Sequence, residues 1–277
     1  MAFYEKLQKR LEGKLTPKEL CLLPKGYQII GRIALIKLDK RLVKRRRIIG
    51  KAILEVLSYL HTVCLQKDIS KTVRKPRVEV IAGCKDTRTM NQEHSCKFLL
   101  DISEIMWSQG NKAEKMRLVA AAKPGETIVD MFSGIGYWSI LLAKHSKARI
   151  YAIDINPKAI EFLRKNCQLN GVESQVTILE GDCRKYAKAL EGIADRIVMG
   201  YLFDTEKFLP YAFRMAKPGA VIHFHRNVEE GGLSKVRRLI VAAAKKSKVK
   251  VKIVGERRIK SYAPKVWHMV FDVNVRR

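Results

Sequence analysis

The sequence predicts an α/β protein: a doubly wound, mostly parallel sheet with an antiparallel last strand, preceded by a small α+β domain. Three observations predict it. From about residue 96 onward, short apolar runs alternate with amphipathic segments of about a dozen residues, the spacing of parallel strands joined by helical crossovers. The last two runs are separated only by about Lys260 to Lys265, too little chain for a helix, so they form an antiparallel hairpin. Ahead of residue 96 the order is irregular, which sets 1–95 apart from 96–277.

The elements follow in order. Phe3 to Leu11 reads as a short helix, and "YQIIGRIALIKL" (27–38) as strand-like alternation. "KRLVKRRRIIGKAILEVLSYL" (40–60) reads as one helix, with Leu42, Ile48, Ile49, Ile53 and Leu57 near helical spacing. After the pattern changes near Asn91–Cys96, residues 110–122 are helical and "KPGE" ends that helix. Strands are expected at 127–132, 148–154, 174–182, "DRIVMG" and 220–225. The helix "NPKAIEFLRKNCQLNG" carries Asn156 as cap, Pro157 in its first turn and Gly171 at its end.

Hydrophobic residues make up 47% of the 277, enough for a packed core, which excludes a solvating tail. No apolar run of about 18 residues exists and the amino terminus has no signal-peptide core, so a cytoplasmic protein with no membrane partner is expected. Six cysteines without a C-x-x-C pair or a zinc spacing read as reduced thiols, and no metal is expected. The formal charge is +28, with a surplus of thirteen in 1–95 and fifteen in 96–277. Both parts are basic, so a polyanion such as RNA or DNA is the natural partner. The cluster Lys44–Arg47 and "KTVRKPRVEV" (71–80) are the expected phosphate contacts.

The chemistry concentrates in "VDMFSGIGYWSI". A strand ends near Asp130–Phe132, a tight turn follows, and Gly134 and Gly136 let backbone approach a ligand at the strand's carboxyl end. A dinucleotide turn would continue to a third glycine, but that place is Ser139. Two more acids close successive strands: Asp154, placed for both ribose hydroxyls of an adenosyl group, and Asp182, placed for the adenine amino group beside the Cys183 N–H. One such acid alone reads equally well as a helix cap. Three in succession beside "SGIG", with no phosphate-binding lysine, fit S-adenosylmethionine better than NAD or ATP.

At these residues the chain resembles a family. "DMFSGIGYWSI", "AIDINPKAIEFLRKNCQLNG" and "EGDCRKY" are similar to the class I S-adenosylmethionine-dependent, Rossmann-like fold. More narrowly, "CKFLLDISEIMWSQGNKAEKMRL", "GRIALIKL" and "SYAPKVWHMVFDV" resemble the group of tRNA (guanine-37-N1)-methyltransferases and wybutosine-synthesising aminocarboxypropyltransferases. The resemblance covers nearly everything from Tyr27 onward. It implies an RNA-facing domain at 1–95 and a cofactor-binding catalytic domain at 96–277. The methyltransferases carry Asn-Leu-Pro after the fourth strand, whereas this chain has Gly200, Tyr201 and Leu202. It also has "SQGN" before the helix at 112 and "HFHRNV" on the fifth strand, the pattern of the aminocarboxypropyl branch.

The resemblance implies roles. Glu114 matches the general base and Lys115 the cation that holds the cofactor carboxylate, with Ser108 at the same tail. A surface glutamate and a solvated lysine are the plain alternatives. Phe132, Ile155, Gly200 and Tyr201 complete the cofactor-binding set with Asp130, Gly134, Gly136, Asp154, Asp182 and Cys183. His223 and His225 are read as facing opposite sides of the sheet, so a His-x-His metal pair is not expected; Asn227 is assigned to the acceptor mouth. The implied acceptor is a demethylwyosine-type base at position 37 of tRNA-Phe, splayed out and stacked on Trp107 or Tyr201, with the basic domain on the anticodon stem. The implied reaction transfers the 3-amino-3-carboxypropyl group and releases methylthioadenosine. A guanine-37 methyltransferase and a non-catalytic RNA-binding protein with a vestigial cofactor site are the rivals.

Overall fold

The computed structural model describes residues 2–69, 76–108 and 111–276. The basic stretch 71–75 and Gln109–Gly110 of "SQGN" lie outside them. The chain divides into two compact units, Met1–Trp107 and Ser108–Arg277.

In the first unit, α1 (Phe3–Leu11) is followed by α2 (Pro17–Leu20). Thr16 and Glu19 close α2 reciprocally: the Glu19 N–H donates to Thr16 Oγ1 and the Thr16 N–H to Glu19 Oε2. The run 27–38 is not one strand. It folds into β1 (Gln28–Ile30) and β2 (Ile33–Ile36), antiparallel about Gly31 and Arg32, where Gly31 sits at φ 57°. The segment 40–60 is also divided: a 3-10 turn over Lys40–Arg45, capped by Asp39, precedes α3 (Arg46–Val56). Leu42, Ile49, Ile53 and Leu57 are buried as the spacing predicts, but Ile48 is exposed. Leu57 and Leu60 reach the core from the turn after the helix, because burying them does not require helical backbone.

β3 (Thr62–Ile69) lies parallel to β2, and β4 (Pro76–Gly83) closes the sheet in the order β1-β2-β3-β4. β5 (Arg88–Glu93) and β6 (Cys96–Asp101) form a separate hairpin whose turn residues His94 and Ser95 both take positive φ. Leu7, Leu11, Ile49, Ile53, Val63 and Ile81 share one apolar cluster. Burying each side chain contributes about 1.5–3 kcal/mol, which ties the helices to the sheet.

The second unit is the doubly wound sheet. Its elements are α4 (Lys112–Ala121), β7 (Thr127–Asp130), α5 (Ser139–Ser146), β8 (Arg149–Asp154), α6 (Pro157–Asn170) and β9 (Val176–Glu180). There follow α7 (Cys183–Tyr186), β10 (Ala194–Met199), α8 (Leu209–Met215), β11 (Ala216–Glu229), α9 (Leu233–Lys246), β12 (Lys250–Ala263) and β13 (Val266–Arg276). The order is β12-β13-β11-β10-β7-β8-β9. β13 is antiparallel to β12, as the short final connection demands, and also to β11. Asn156 caps α6 by accepting from the Lys158 N–H, and Gly171 ends it at φ 64°.

Val129, Ile153, Ile197, Met199, Ile222, Phe224, Phe271 and Val273 form the core of this unit. The winding reverses between the neighbours β7 and β10, and in such sheets ligands bind at the carboxyl ends of the strands flanking that reversal. No helix among the described residues is long and apolar enough to cross a membrane.

Candidate functional site

The turn after β7 is tied to the end of β8. The Ser133 N–H donates to the Ile153 carbonyl at 2.8 Å and the Gly134 N–H to Asp154 Oδ2 at 2.7 Å. Gly136 sits at φ 98°, and a Cβ there would stand 2.6 Å from Ile140 Cδ1 and 2.8 Å from Leu163 Cδ1. Only glycine lets this turn pack so close to α5 and α6.

Asp130 is fully buried; Ser139 Oγ donates to its Oδ2 at 2.8 Å. Burial pushes its carboxyl up to about 7, against the hydrogen bond from Ser139. Asp154 also accepts from the Asn156 N–H at 2.9 Å, and burial raises its carboxyl as well. Each Asp154 oxygen keeps a further lone pair for a ligand hydroxyl. Ser133 Oγ, within the same turn, is buried with no hydrogen-bond partner in the protein. An orphaned hydroxyl in a tight turn is what a polar ligand would satisfy.

Asp182 caps α7 and is held by Arg184, whose backbone N–H and guanidinium both donate to it; that hydrogen bonding lowers its carboxyl. An adenine amino group would share the carboxylate with Arg184. Cys183 is buried, and burial pushes its thiol up to about 12, so it stays neutral. Ile155 is 62% exposed beside Asp154, an apolar side chain left uncovered at the strand ends.

After β10, a Cβ at Gly200 would stand 3.0 Å from Trp138 Nε1. Tyr201 stacks on Phe132 with ring centroids 5.3 Å apart, and Phe208 meets both rings edge-on. The place where the methyltransferases carry Asn and Pro is therefore walled by aromatic rings. Trp138 also packs against His225, with centroids 5.2 Å apart. Trp107, in the first unit, is buried edge-on against Phe98 and has no free face for a base.

Glu114 and Lys115 are both buried at the start of α4. Lys115 Nζ lies 5.4 Å from the centroid of the Tyr137 ring, over the cofactor turn. Glu114 accepts from Arg117 on both oxygens, at 2.6 and 2.8 Å. Arg117 also donates twice to Asp272, which faces His223 across β11 and β13. Ser108, at the start of the second unit, is half-buried.

The reading of the two histidines as facing opposite sides is wrong. Residues two apart on a strand share a face, and His223 and His225 are both buried on the same side. His225 Nδ1 lies 2.9 Å from His268 Nε2, and its own Nε2, His268 Nδ1 and Asn227 Oδ1 are buried without partners. Burial first, then the neighbouring positive groups, lowers the pKa values of His225 and His268, the latter to about 4. Among the described residues no group of three or more His, Cys, Asp and Glu could hold a metal ion.

Sequence reasoning passed over Arg117, Trp138 and Asp272. The i, i+3 spacing of Glu114 and Arg117 was a readable signal. Nothing local marked the other two, whose partners are distant in the chain.

With this geometry in hand, comparison with known proteins gives a consistent result. Residues 89–252 match the TRM5/TYW2 methyltransferase domain and residues 7–87 the TYW2 N-terminal domain. The chain is 38% identical over 265 residues to the tRNA(Phe) (4-demethylwyosine(37)-C(7)) aminocarboxypropyltransferase of Pyrococcus horikoshii, covering 95% of this chain and 94% of that one. It is 36% identical to the tRNA (guanine(37)-N(1))-methyltransferase Trm5b of Pyrococcus abyssi, covering 94% of this chain but 78% of that one. The crystal structure of P. horikoshii TYW2 in complex with MeSAdo superimposes with a TM-score of 0.87 at 36% identity, covering 98% of both chains.

Proposed function

The chain belongs to the TYW2 family of aminocarboxypropyltransferases, and on that premise we propose that it transfers the 3-amino-3-carboxypropyl group of S-adenosylmethionine to 4-demethylwyosine at position 37 of tRNA(Phe), releasing methylthioadenosine. The observation that carries the choice over methyl transfer is the turn after β10. Gly200 abuts Trp138 and Tyr201 stacks on Phe132, so no Asn amide or Pro ring is present to aim a one-carbon arm at the acceptor.

The residues fit the cofactor. Asp154 has a lone pair left on each oxygen for the ribose hydroxyls, Asp182 and the Cys183 N–H would meet the adenine, and Asp130 with the Ser133 hydroxyl would meet the amino-acid end. Lys115, buried over Tyr137, is assigned to the carboxylate, with Ser108 at the same tail and Phe132, Ile155, Gly134 and Gly136 shaping the rest. When bound, the cofactor supplies an electrophilic carbon on a sulfonium that leaves as a neutral thioether.

The new carbon–carbon bond replaces a C–H bond of the base, so one proton must leave. Glu114 is proposed to accept it. Both of its oxygens already accept from Arg117, so the proton would use a remaining lone pair. The chain's larger task is positioning: the reacting atoms must be held about 3–3.5 Å apart in line.

The basic first unit is proposed to grip the anticodon stem, and the enzyme to act in the cytoplasm, where such a substrate would meet it. One experiment tests the transfer. The protein is incubated with tRNA(Phe) bearing 4-demethylwyosine or unmodified guanine at position 37, and with cofactor labelled in the methyl or in the carboxyl carbon. Carboxyl label alone in the RNA is expected. Methyl label alone would assign the guanine-methyltransferase reading, and no label a binding function.

A further inference from the structure

Tyr201 is not an open stacking platform: it stacks on Phe132 and packs perpendicular to both Phe203 and Phe208. Among the described residues of the second unit, two other large aromatics are open to solvent. Phe203 is 39% exposed and Tyr262 44%, and they meet edge-on with centroids 6.1 Å apart. Together the rings form a chain leading outward from the cofactor turn: Phe132 to Tyr201 at 5.3 Å, Tyr201 to Phe203 at 5.9 Å, Phe203 to Tyr262.

Topology puts this pair at the functional end of the sheet. Phe203 lies four residues beyond the end of β10. Tyr262 lies next to the β12–β13 turn, whose Val266 pairs with Glu229 at the carboxyl end of β11. The exposed Lys265 lies three residues from Tyr262, and the exposed Lys207, four residues from Phe203, is paired with Asp204 at 2.6 Å and would exchange that partner for a phosphate. Aromatic faces bordered by cations fit single-stranded nucleic acid, in which bases stack and phosphates meet lysines. An apolar protein partner would sit poorly beside those lysines.

We propose that Phe203 and Tyr262 form a stacking platform for an unpaired nucleobase of the RNA adjoining the acceptor nucleotide, an inference that rests on the tRNA-modifying reading above. The acceptor base itself needs a site that excludes water at the reacting carbon. Two rings about two-fifths exposed do not provide that, whereas a neighbouring base needs only a surface to stack on.

The test is a binding cycle, read by fluorescence anisotropy. Wild-type protein and the double variant F203L/Y262L are titrated with tRNA(Phe) bearing 4-demethylwyosine, either intact or made abasic at one nucleotide beside position 37, on each side in turn. The double variant is expected to bind intact tRNA about tenfold more weakly, the loss expected of one base–aromatic stack. An abasic site on one side should weaken wild-type binding by a similar factor and the double variant no further. MeSAdo binding should be unchanged, and F203Y/Y262F, which keeps both rings, should bind as wild type. Equal tRNA binding by wild type and F203L/Y262L would overturn the proposal. So would losses that multiply with the abasic site on both sides. A failure of wild type to transfer carboxyl label would count against the enzymatic reading alone, because the binding cycle still decides the platform.

Discussion

His223 Nδ1 lies 2.6 Å from Asp272 Oδ1, and the geometry fixes which nitrogen holds the proton. Arg196 Nη1 is 2.8 Å from His223 Nε2, and a guanidinium can only donate. Nε2 therefore accepts, Nδ1 carries the hydrogen, and it donates to Asp272. The 3.3 Å contact of Arg117 with that same Nδ1 is accordingly not a hydrogen bond. Asp272 also accepts from Arg117 and Arg257, so one carboxylate holds three groups from α4, β11 and β12.

Burial alone would raise the Asp272 carboxyl, but the hydrogen bonds from His223 and Arg117 and the charge of Arg117 outweigh it and hold it below the ordinary range. Asp272→Asn should therefore cost about 3–5 kcal/mol, the penalty for leaving buried charge without its partner. Urea unfolding checks it, and a loss under about 1 kcal/mol would mean that water replaces the carboxylate.

The His225–His268 pair makes stability depend on pH on the acid side. Both have pKa values lowered by burial, so the unfolded chain takes up protons near pH 6.5 that the folded chain refuses. The stability they contribute is present above pH 6.5 and is lost as pH falls from there toward His268's value of about 4. For His268 the loss amounts to about 3 kcal/mol at 1.36 kcal/mol per unit. His268→Phe should flatten the fall between pH 6.5 and 4, as measured by denaturant midpoints across that range.

Gly200 and Trp138 are coupled through space. A Cβ at 200 meets Trp138 Nε1 at 3.0 Å, so Gly200→Asn, which restores the methyltransferase residue, must displace the indole. It should destabilise the protein by about 1–3 kcal/mol, the usual cost of overpacking. It should not by itself produce methyl transfer, because the ring wall of Phe132, Tyr201 and Phe208 remains. Melting curves and methyl-labelled cofactor read the two effects separately.

What the sequence reveals follows the range of the interactions involved. The acids at the ends of β7 and β8, the glycine turn and the cap of α6 are set by neighbours a few residues away, so they are legible. Glu114 is different. Its environment depends on Arg117 and, through it, on Asp272, 155 residues further from Arg117 along the chain. Tyr201 looks like a free stacking residue in sequence because nothing local reveals Phe132 against its face. The run 27–38 keeps its apolar character across Gly31, so only the pairing of β1 with β2 exposes the turn. The histidine error was one of geometry, not of information: two residues apart on a strand means one face.

Asp130 makes stability fall as pH rises from about 4 to about 7. Burial raises its carboxyl to about 7, above the unfolded value, so the folded chain holds a proton that the unfolded chain has released. That contribution is complete below the unfolded value near pH 4 and is lost as pH rises through about 7. Asp130→Asn keeps an acceptor for Ser139 Oγ and removes the buried charge. It should therefore stabilise the protein at pH 8 by about 4 kcal/mol, at 1.36 kcal/mol per pH unit, while leaving it nearly unchanged at pH 4. The same substitution should weaken S-adenosylmethionine binding if the carboxylate meets the cofactor's amino group, since a charged hydrogen bond contributes about 1.5–3 kcal/mol. Calorimetric titration at pH 8 alongside the melting curves decides it: greater stability with undiminished affinity would remove Asp130 from the cofactor site.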